Sequence, residues 1–307
     1  MSQADSDFAR SEFERIFIGD DELTSLCHEH VKSFWPTEQS AGILVRDQII
    51  ASLRDKKPLS VLRVGNGEGN ALSMTKNTLH PLQISTFCTE FLSQNGIPIP
   101  QDTAIKFCAE VRTALITADI VGFRSFRFDE RSMIRSRLGH GDAYAALGVL
   151  YARELLQDGW KEGYWRQSIM TSAWIHLELV PYLCNILEAA GSVIIVTGRE
   201  ELHNEMRSRV GARLEAFITV PVQGFKPPSL DQSHFVEAFP VVRERLSRDL
   251  RGKLILVGAG LFGKVYCHTA RQHGAVAIDF GSAFDVLAGL NTRPIHKLYN
   301  IDALRWI

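Results

Sequence analysis

From residue 58 onward, short apolar runs alternate with longer stretches whose apolar residues recur at helical intervals. The short runs are "PLSVLRV" (58–64), "DIVGF" (119–123), "SVIIVTG" (192–198), "LEAFITVPV" (214–222), "KLILVGAG" (253–260) and "AVAIDFG" (275–281), and they predict β-strands. Between them, "NALSMTKNTL", "TAIKFCAEVRTALITA", "DAYAALGVLYARELLQDG", "REELHNEMRSRV", "FVEAFPVVRERLSRDLRG" and "LFGKVYCHTARQHG" carry the helical spacing. Gly159 is placed to cap the third of these. "SIMTSAWIHLELVPYLCNILEAAG" (168–191) reads as a further helix, interrupted or kinked by Pro181. Residues 1–55 read as helical and polar-amphipathic, broken at "FWPTEQS", where Pro36 ends a segment.

Several of the strands are continuous apolar runs, which is the pattern of a parallel sheet covered on both faces. The expected fold is therefore α/β and Rossmann-like, a mostly parallel sheet flanked by helices. The expected organisation is an N-terminal helical extension over 1–55 and one domain over 56–307. In such sheets ligands bind at the carboxyl ends of the strands. The residues just after each strand carry the candidate chemistry.

Composition narrows the function classes. The 307 residues include 45% hydrophobic and 22% charged residues, ordinary for a globular chain, with a formal net charge of −1. No basic excess points to nucleic acid. The cysteines Cys27, Cys88, Cys108, Cys184 and Cys267 are scattered and form no C-x-x-C pair, against a disulfide framework or a cysteine-rich zinc site. No apolar run nears the roughly 20 residues that span a bilayer, and the first residues lack a signal-peptide core. A cytoplasmic protein without a transmembrane segment is expected.

The first strand runs into "RVGNGEG", with Gly65, Gly67 and Gly69 inside five positions. Glycine turns at helix starts offer backbone N–H groups to an anion, and Arg63 would pair with a phosphate. Glu68 would ligate a divalent cation held against that phosphate, or act as base toward an acceptor hydroxyl. A tight turn with a surface Glu explains the same residues. The second string, "KLILVGAGLFGKV", places Gly258, Gly260 and Gly263 in G-x-G-x-x-G between strand and helix, with Asp279 ending the next strand. Read as G-x-x-x-x-G-K it makes Lys264 a phosphate ligand, but Val265 stands where a P-loop has Ser or Thr. Close helix–strand packing is the alternative. In "VTGRE", Arg199 either faces the crevice or forms an exposed pair in the first turn. The arginines of "FRSFRFDERSMIRSR", among them Arg124 and Arg127, form either a basic loop over an acidic ligand or a solvated run. His28 and His30 face apart on a helix, and His176 reads as a satisfied core or rim histidine.

Taken together, "SVLRVGNGEGNAL" and "LILVGAGLFGKVYCHTARQHGAVAIDFGSAFDVLAG" resemble the two ends of the GT-D type glycosyltransferases, whose first loop has the form R-x-G-D-G-E. The resemblance spans roughly residues 58–290. It implies a Rossmann-like sheet that binds a nucleoside-diphosphate sugar through Gly65, Asn66, Gly67, Gly258, Gly260, Gly263, Lys264 and Asp279. Glu68 and Arg63 would be catalytic. It further implies a divalent metal, Mn²⁺ or Mg²⁺, at Glu68 and position 66. There the family Asp is replaced by Asn66, which offers a neutral carbonyl oxygen in place of a carboxylate. The partners implied are a nucleotide-sugar donor and a glycan, protein or small-molecule acceptor. Two other readings stand beside this one: an NAD(P)-dependent oxidoreductase using 258–263, and a non-catalytic nucleotide-binding relative.

Overall fold

The computed structural model describes residues 3–16, 39–75, 99–123, 143–165, 167–221, 234–298, 304 and 306. The break at Pro36, the pair His28 and His30, and the arginines of 124–137 lie outside the described residues. Two helices come first, α1 (Gln3–Ile16) and α2 (Gln39–Asp55), then β1 (Leu59–Arg63) and α3 (Asn66–Ser73). Next are α4 (Gln101–Ile116), β2 (Ile120–Phe123), α5 (Ala143–Glu162) and β3 (Ile169–Ser172). A broken helical stretch follows, α6 (Ile175–Glu178) and α7 (Leu183–Ala189). The chain continues through β4 (Ser192–Thr197), α8 (His203–Val210), β5 (Leu214–Thr219) and α9 (Phe239–Leu246). It ends with β6 (Lys253–Gly258), α10 (Phe262–Gln272), β7 (Val276–Asp279) and α11 (Ala283–Leu287).

The strands form one seven-stranded parallel sheet in the order β3-β2-β1-β7-β6-β4-β5. The expected α/β, Rossmann-like class is what the chain adopts. The continuous apolar runs are its central strands: β4 and β6 pair along their whole length, Ser192↔Lys253 to Thr197↔Gly258, with interiors that are fully buried. Antiparallel sheets that face water on one side would have alternated.

Two expectations fail here. Residues 169–172 are a strand, not the start of a helix, whereas the helical stretch after them is interrupted at Pro181, in a 3₁₀ turn, as expected. Four residues are too few to set a period of two against the helical spacing that follows. β3 is specified instead by pairing, Ile120↔Ile169 to Phe123↔Ser172. Gly159 also lies inside α5 and does not cap it. A Cβ there would come within 2.4 Å of the Trp165 ring, so glycine makes room for the indole. That indole is fully buried, donates its N–H to the Leu115 carbonyl at 3.0 Å and meets Phe123 edge-on.

By contact density the chain divides into two compact units, each discontinuous in sequence: 1–35 with 63–173, and 36–62 with 174–307. Residues 1–55 contribute α1 to the first and α2 to the second. In the first, α1 packs Phe13 and Ile16 against Leu147, Leu150 and Tyr151 of α5. In the second, Arg46 of α2 lies 4.9 Å over the Tyr182 ring.

Candidate functional site

In the first unit the chain leaves β1 at Arg63, turns at Val64 and Gly65, and enters α3 at Asn66. The Val64 N–H bonds to the Gly122 carbonyl at 2.7 Å, fixing the turn against β2. Arg63 is half-buried, and its Nη1 donates to the Ala173 carbonyl, just past β3, at 3.3 Å. Glu68 sits in the first turn of α3, where a carboxylate suits the helix dipole. It accepts the Gly65 N–H at 2.8 Å, half of a capping box. Asn66 is exposed.

The three glycines of this loop do different things. Gly65 is extended, at φ −112°, and a Cβ on it would sit 3.0 Å from Glu68 Oε2. A Cβ on Gly67 would meet nothing within 4 Å. Gly69 is the reverse: its Cβ would fall 1.7 Å from the Gly148 carbonyl oxygen on α5. A Cβ on Gly148 would lie 2.1 Å from the Asn66 carbonyl oxygen, so the two helix backbones touch. Only Gly67 opens backbone to a visitor. The alternative of tight packing describes Gly69.

In the second unit the loop after β6 is built around its glycines. Gly258 admits the Phe284 ring, which a Cβ would approach to 2.4 Å. Gly260 has φ +54°, and Gly263 packs on Val257. Lys264 and Asp279 hold each other: Nζ to Oδ2 is 2.7 Å, with both side chains inaccessible. Buried charges are tolerated only when paired in this way. The ammonium read as a phosphate ligand and the carboxylate read as a ribose ligand are thus directed at one another. Arg63, Gly65, Asn66, Gly67 and Glu68 belong to the first unit, and Gly258, Gly260, Gly263, Lys264 and Asp279 to the second.

A polar cluster that spacing did not reveal lies past the ends of β4 and β7 in the second unit. Arg199 pairs with Asp285 at 2.6 Å, and both are largely buried. Its expected partner, Glu200, is exposed instead. Thr292 donates its hydroxyl to the other oxygen of Asp285. Ser282, three residues past β7, has its Oγ 3.1 Å from His176 Nε2 and 3.1 Å from His296 Nε2. Both histidines are fully buried. Burial lowers the His296 pKa below its ordinary value, which the nearby Asp285 only partly offsets. His176 is buried as expected, but as part of this cluster. The available signal was positional, since Ser282 lies three residues past a strand end.

Elsewhere, a cavity of about 430 Å³ is lined by Asp119, Tyr164, Gln167 and Ser168 at the amino ends of β2 and β3. That is the wrong end of a parallel sheet for ligands of the usual kind. No group of three or more His, Cys, Asp or Glu side chains is arranged to hold a metal among the described residues. No helix among them is long and apolar enough to cross a membrane.

These features define a class: a parallel α/β protein with a glycine turn and a carboxylate at the carboxyl end of its first strand. The chain belongs to the GT-D-like family, described as a GT-D fold-like domain, whose model matches residues 43–287. A solved structure, a selenomethionine-substituted domain of unknown function 1792, is similar at 14% identity and a TM-score of 0.40, over 86% of this chain and 82% of that one. No curated protein matches the chain.

Proposed function

We propose that the protein is a glycosyltransferase that takes a sugar from a nucleoside-diphosphate sugar and passes it to an acceptor hydroxyl. The observation that carries this reading is the match of the GT-D-like model across β1 to β7, with the R-x-G-x-G-E loop inside it. Departure of a nucleoside diphosphate requires opposing charge and fixed dipoles at the leaving oxygens. Arg63, the backbone opened at Gly67 and the start of α3 supply groups of that kind. Removing one such preorganised donor typically lowers the rate by about 10²–10³-fold.

The donor set at this loop fits a divalent cation of the Mg²⁺ or Mn²⁺ type. Such ions are often held by one or two protein oxygens and complete their shell with water and substrate phosphates. Glu68 and the Asn66 amide oxygen are the residues that would hold it, and the bound ion would neutralise charge on the diphosphate. Glu68 also fixes the turn through Gly65, so its position does not depend on an ion.

Calorimetric titration of the full chain with UDP- and GDP-sugars, with and without Mn²⁺, tests the reading. Saturable binding is expected, and it weakens in Arg63→Ala. A folded protein that binds none of these donors overturns it. Asn66→Asp adds a charged ligand and is expected to raise Mn²⁺ affinity at least about tenfold. Unchanged affinity would show that position 66 does not face a metal. The oxidoreductase alternative gains nothing from the structure, because Asp279 is turned to Lys264.

A further inference from the structure

The cavity of about 430 Å³ in the first unit lies between the turn that follows α4 and the turn that follows α5. Its size falls within the range of small-molecule sites. Anionic ligands gather at the carboxyl ends of parallel strands because the positive amino ends of helices lie there. At the amino ends the polarity is reversed. α4 and α5 both bring their carbonyl ends to this cavity, and the last turn of α4 carries no basic side chain. A ligand here must bring hydrogen-bond donors.

The side chains of the lining agree. Ser168 donates its hydroxyl to the Ala118 carbonyl at 2.8 Å, and Thr117 donates its own to the Thr113 carbonyl at 2.8 Å. Each has one proton and gives it to the fold, so toward a ligand each acts as an acceptor. The Asp119 carboxylate accepts only, and the Gln167 amide both accepts and donates. Tyr164 adds an aromatic ring, with the Arg112 guanidinium 5.6 Å over it. One carboxylate in the lining and one guanidinium beside it leave no dominant sign of charge to select an ion. Many hydroxyl donors, no net charge and an apolar face for a ring describe a sugar.

We propose that this cavity is a second, non-catalytic site that holds a neutral sugar by its hydroxyls at Asp119, Gln167 and Ser168, beside Tyr164. It is distinct from the glycine loop. Arg63 reaches the Ala173 carbonyl at the far end of β3, whereas Ser168 precedes that strand. The steps from Ser168 to Ala173 span about 16 Å at the rise of a strand. A sugar in the cavity therefore stays away from Arg63 and Glu68. The site stands on the cavity itself, whether or not the protein transfers sugars.

Saturation-transfer NMR of the full chain tests it, with methyl α- and β-glycosides of glucose, galactose and mannose, and with lactose and maltose. At least one sugar is expected to give a saturable signal. Gln167→Ala, at an exposed position, and Asp119→Asn should each weaken that binding roughly five- to tenfold, the loss of about one hydrogen bond. Arg63→Ala should leave it unchanged. No saturable signal from any of these sugars overturns the inference, as does full affinity in both folded cavity variants. Loss of the signal in Arg63→Ala overturns it too, by placing the sugar at the glycine loop. Tighter binding of spermidine or inorganic phosphate, abolished by the cavity variants, would make this an ion site instead. Failure of the glycosyltransferase reading shows separately, as absent sugar-nucleotide binding in calorimetry with the sugar signal intact.

Discussion

Alanine at Gly69 tests whether the glycine loop serves packing, ligand binding or both. The added methyl carbon would stand 1.7 Å from the Gly148 carbonyl oxygen, 2.6 Å from the Gly148 carbonyl carbon and 3.0 Å from the Ala152 nitrogen. All three are backbone atoms of α5, so no side chain can swing aside. Relief requires α3 and α5 to separate by about 1.5 Å, which forfeits much of the dispersion contact along their seam. Overpacking a core costs typically about 1–3 kcal/mol, and a backbone-limited clash belongs at the upper end. The gain of about 1 kcal/mol from Ala over Gly in a helix does not offset it. A net loss near 2–3 kcal/mol lowers the melting temperature by roughly 4–12 °C in a domain of this size class.

Gly67→Ala is the internal control. It adds a methyl group where nothing lies within 4 Å, so stability should hold or rise by up to about 1 kcal/mol. Sugar-nucleotide binding should nonetheless weaken, because the methyl group occupies the space through which a diphosphate would meet the backbone. Thermal and urea unfolding of both variants, followed by calorimetry, separates the effects. Wild-type stability in Gly69→Ala would refute the close helix contact. A large loss of stability in Gly67→Ala would refute the open backbone.

Three further outcomes follow from the second unit. Asp279→Asn leaves the Lys264 ammonium buried without its carboxylate and should cost about 3–5 kcal/mol, whereas Lys264→Met combined with Asp279→Leu should recover most of that; a urea double-mutant cycle showing simple additivity would deny the coupling. His234, stacked on Phe262 at 4.0 Å and bonded to the Tyr266 hydroxyl, has its pKa lowered by burial from 6.5 to about 4. The unfolded chain therefore binds its proton first on acidification, so about 3 kcal/mol of stability should be lost between pH 6.5 and 4, with no further loss from this group below that; His234→Gln should flatten that window in a pH series of urea midpoints. Arg199→Ala strands Asp285 beside His296 and should raise the His296 pKa, read from its imidazole ¹⁵N titration; an unmoved titration would place Asp285 too far away to matter.

Much of the fold was legible because local pattern encodes it. Six of the seven strands were visible as short apolar runs without coordinates, and five of them are buried on both faces, the edge strand β5 being the exception. The seventh, β3, was not, since its four residues are specified by pairing with β2. The glycine loops were visible as glycine loops, but not what each glycine met. Nothing near Gly69 in the sequence announces Gly148, and nothing near Arg199 announces Asp285.

The amino-acid sequence by itself determined the strand–helix alternation, the covered parallel sheet and the chemistry present at each strand end. These depend on residues a few positions apart, where steric preference and periodicity act. Tertiary structure alone decided which of those groups meet: Lys264 with Asp279, Ser282 between His176 and His296, α3 against α5. Such meetings depend on strand order and helix packing, which bring together residues separated by as many as 106 positions. Burial then fixes their partners, because a polar group removed from water must find one inside the fold.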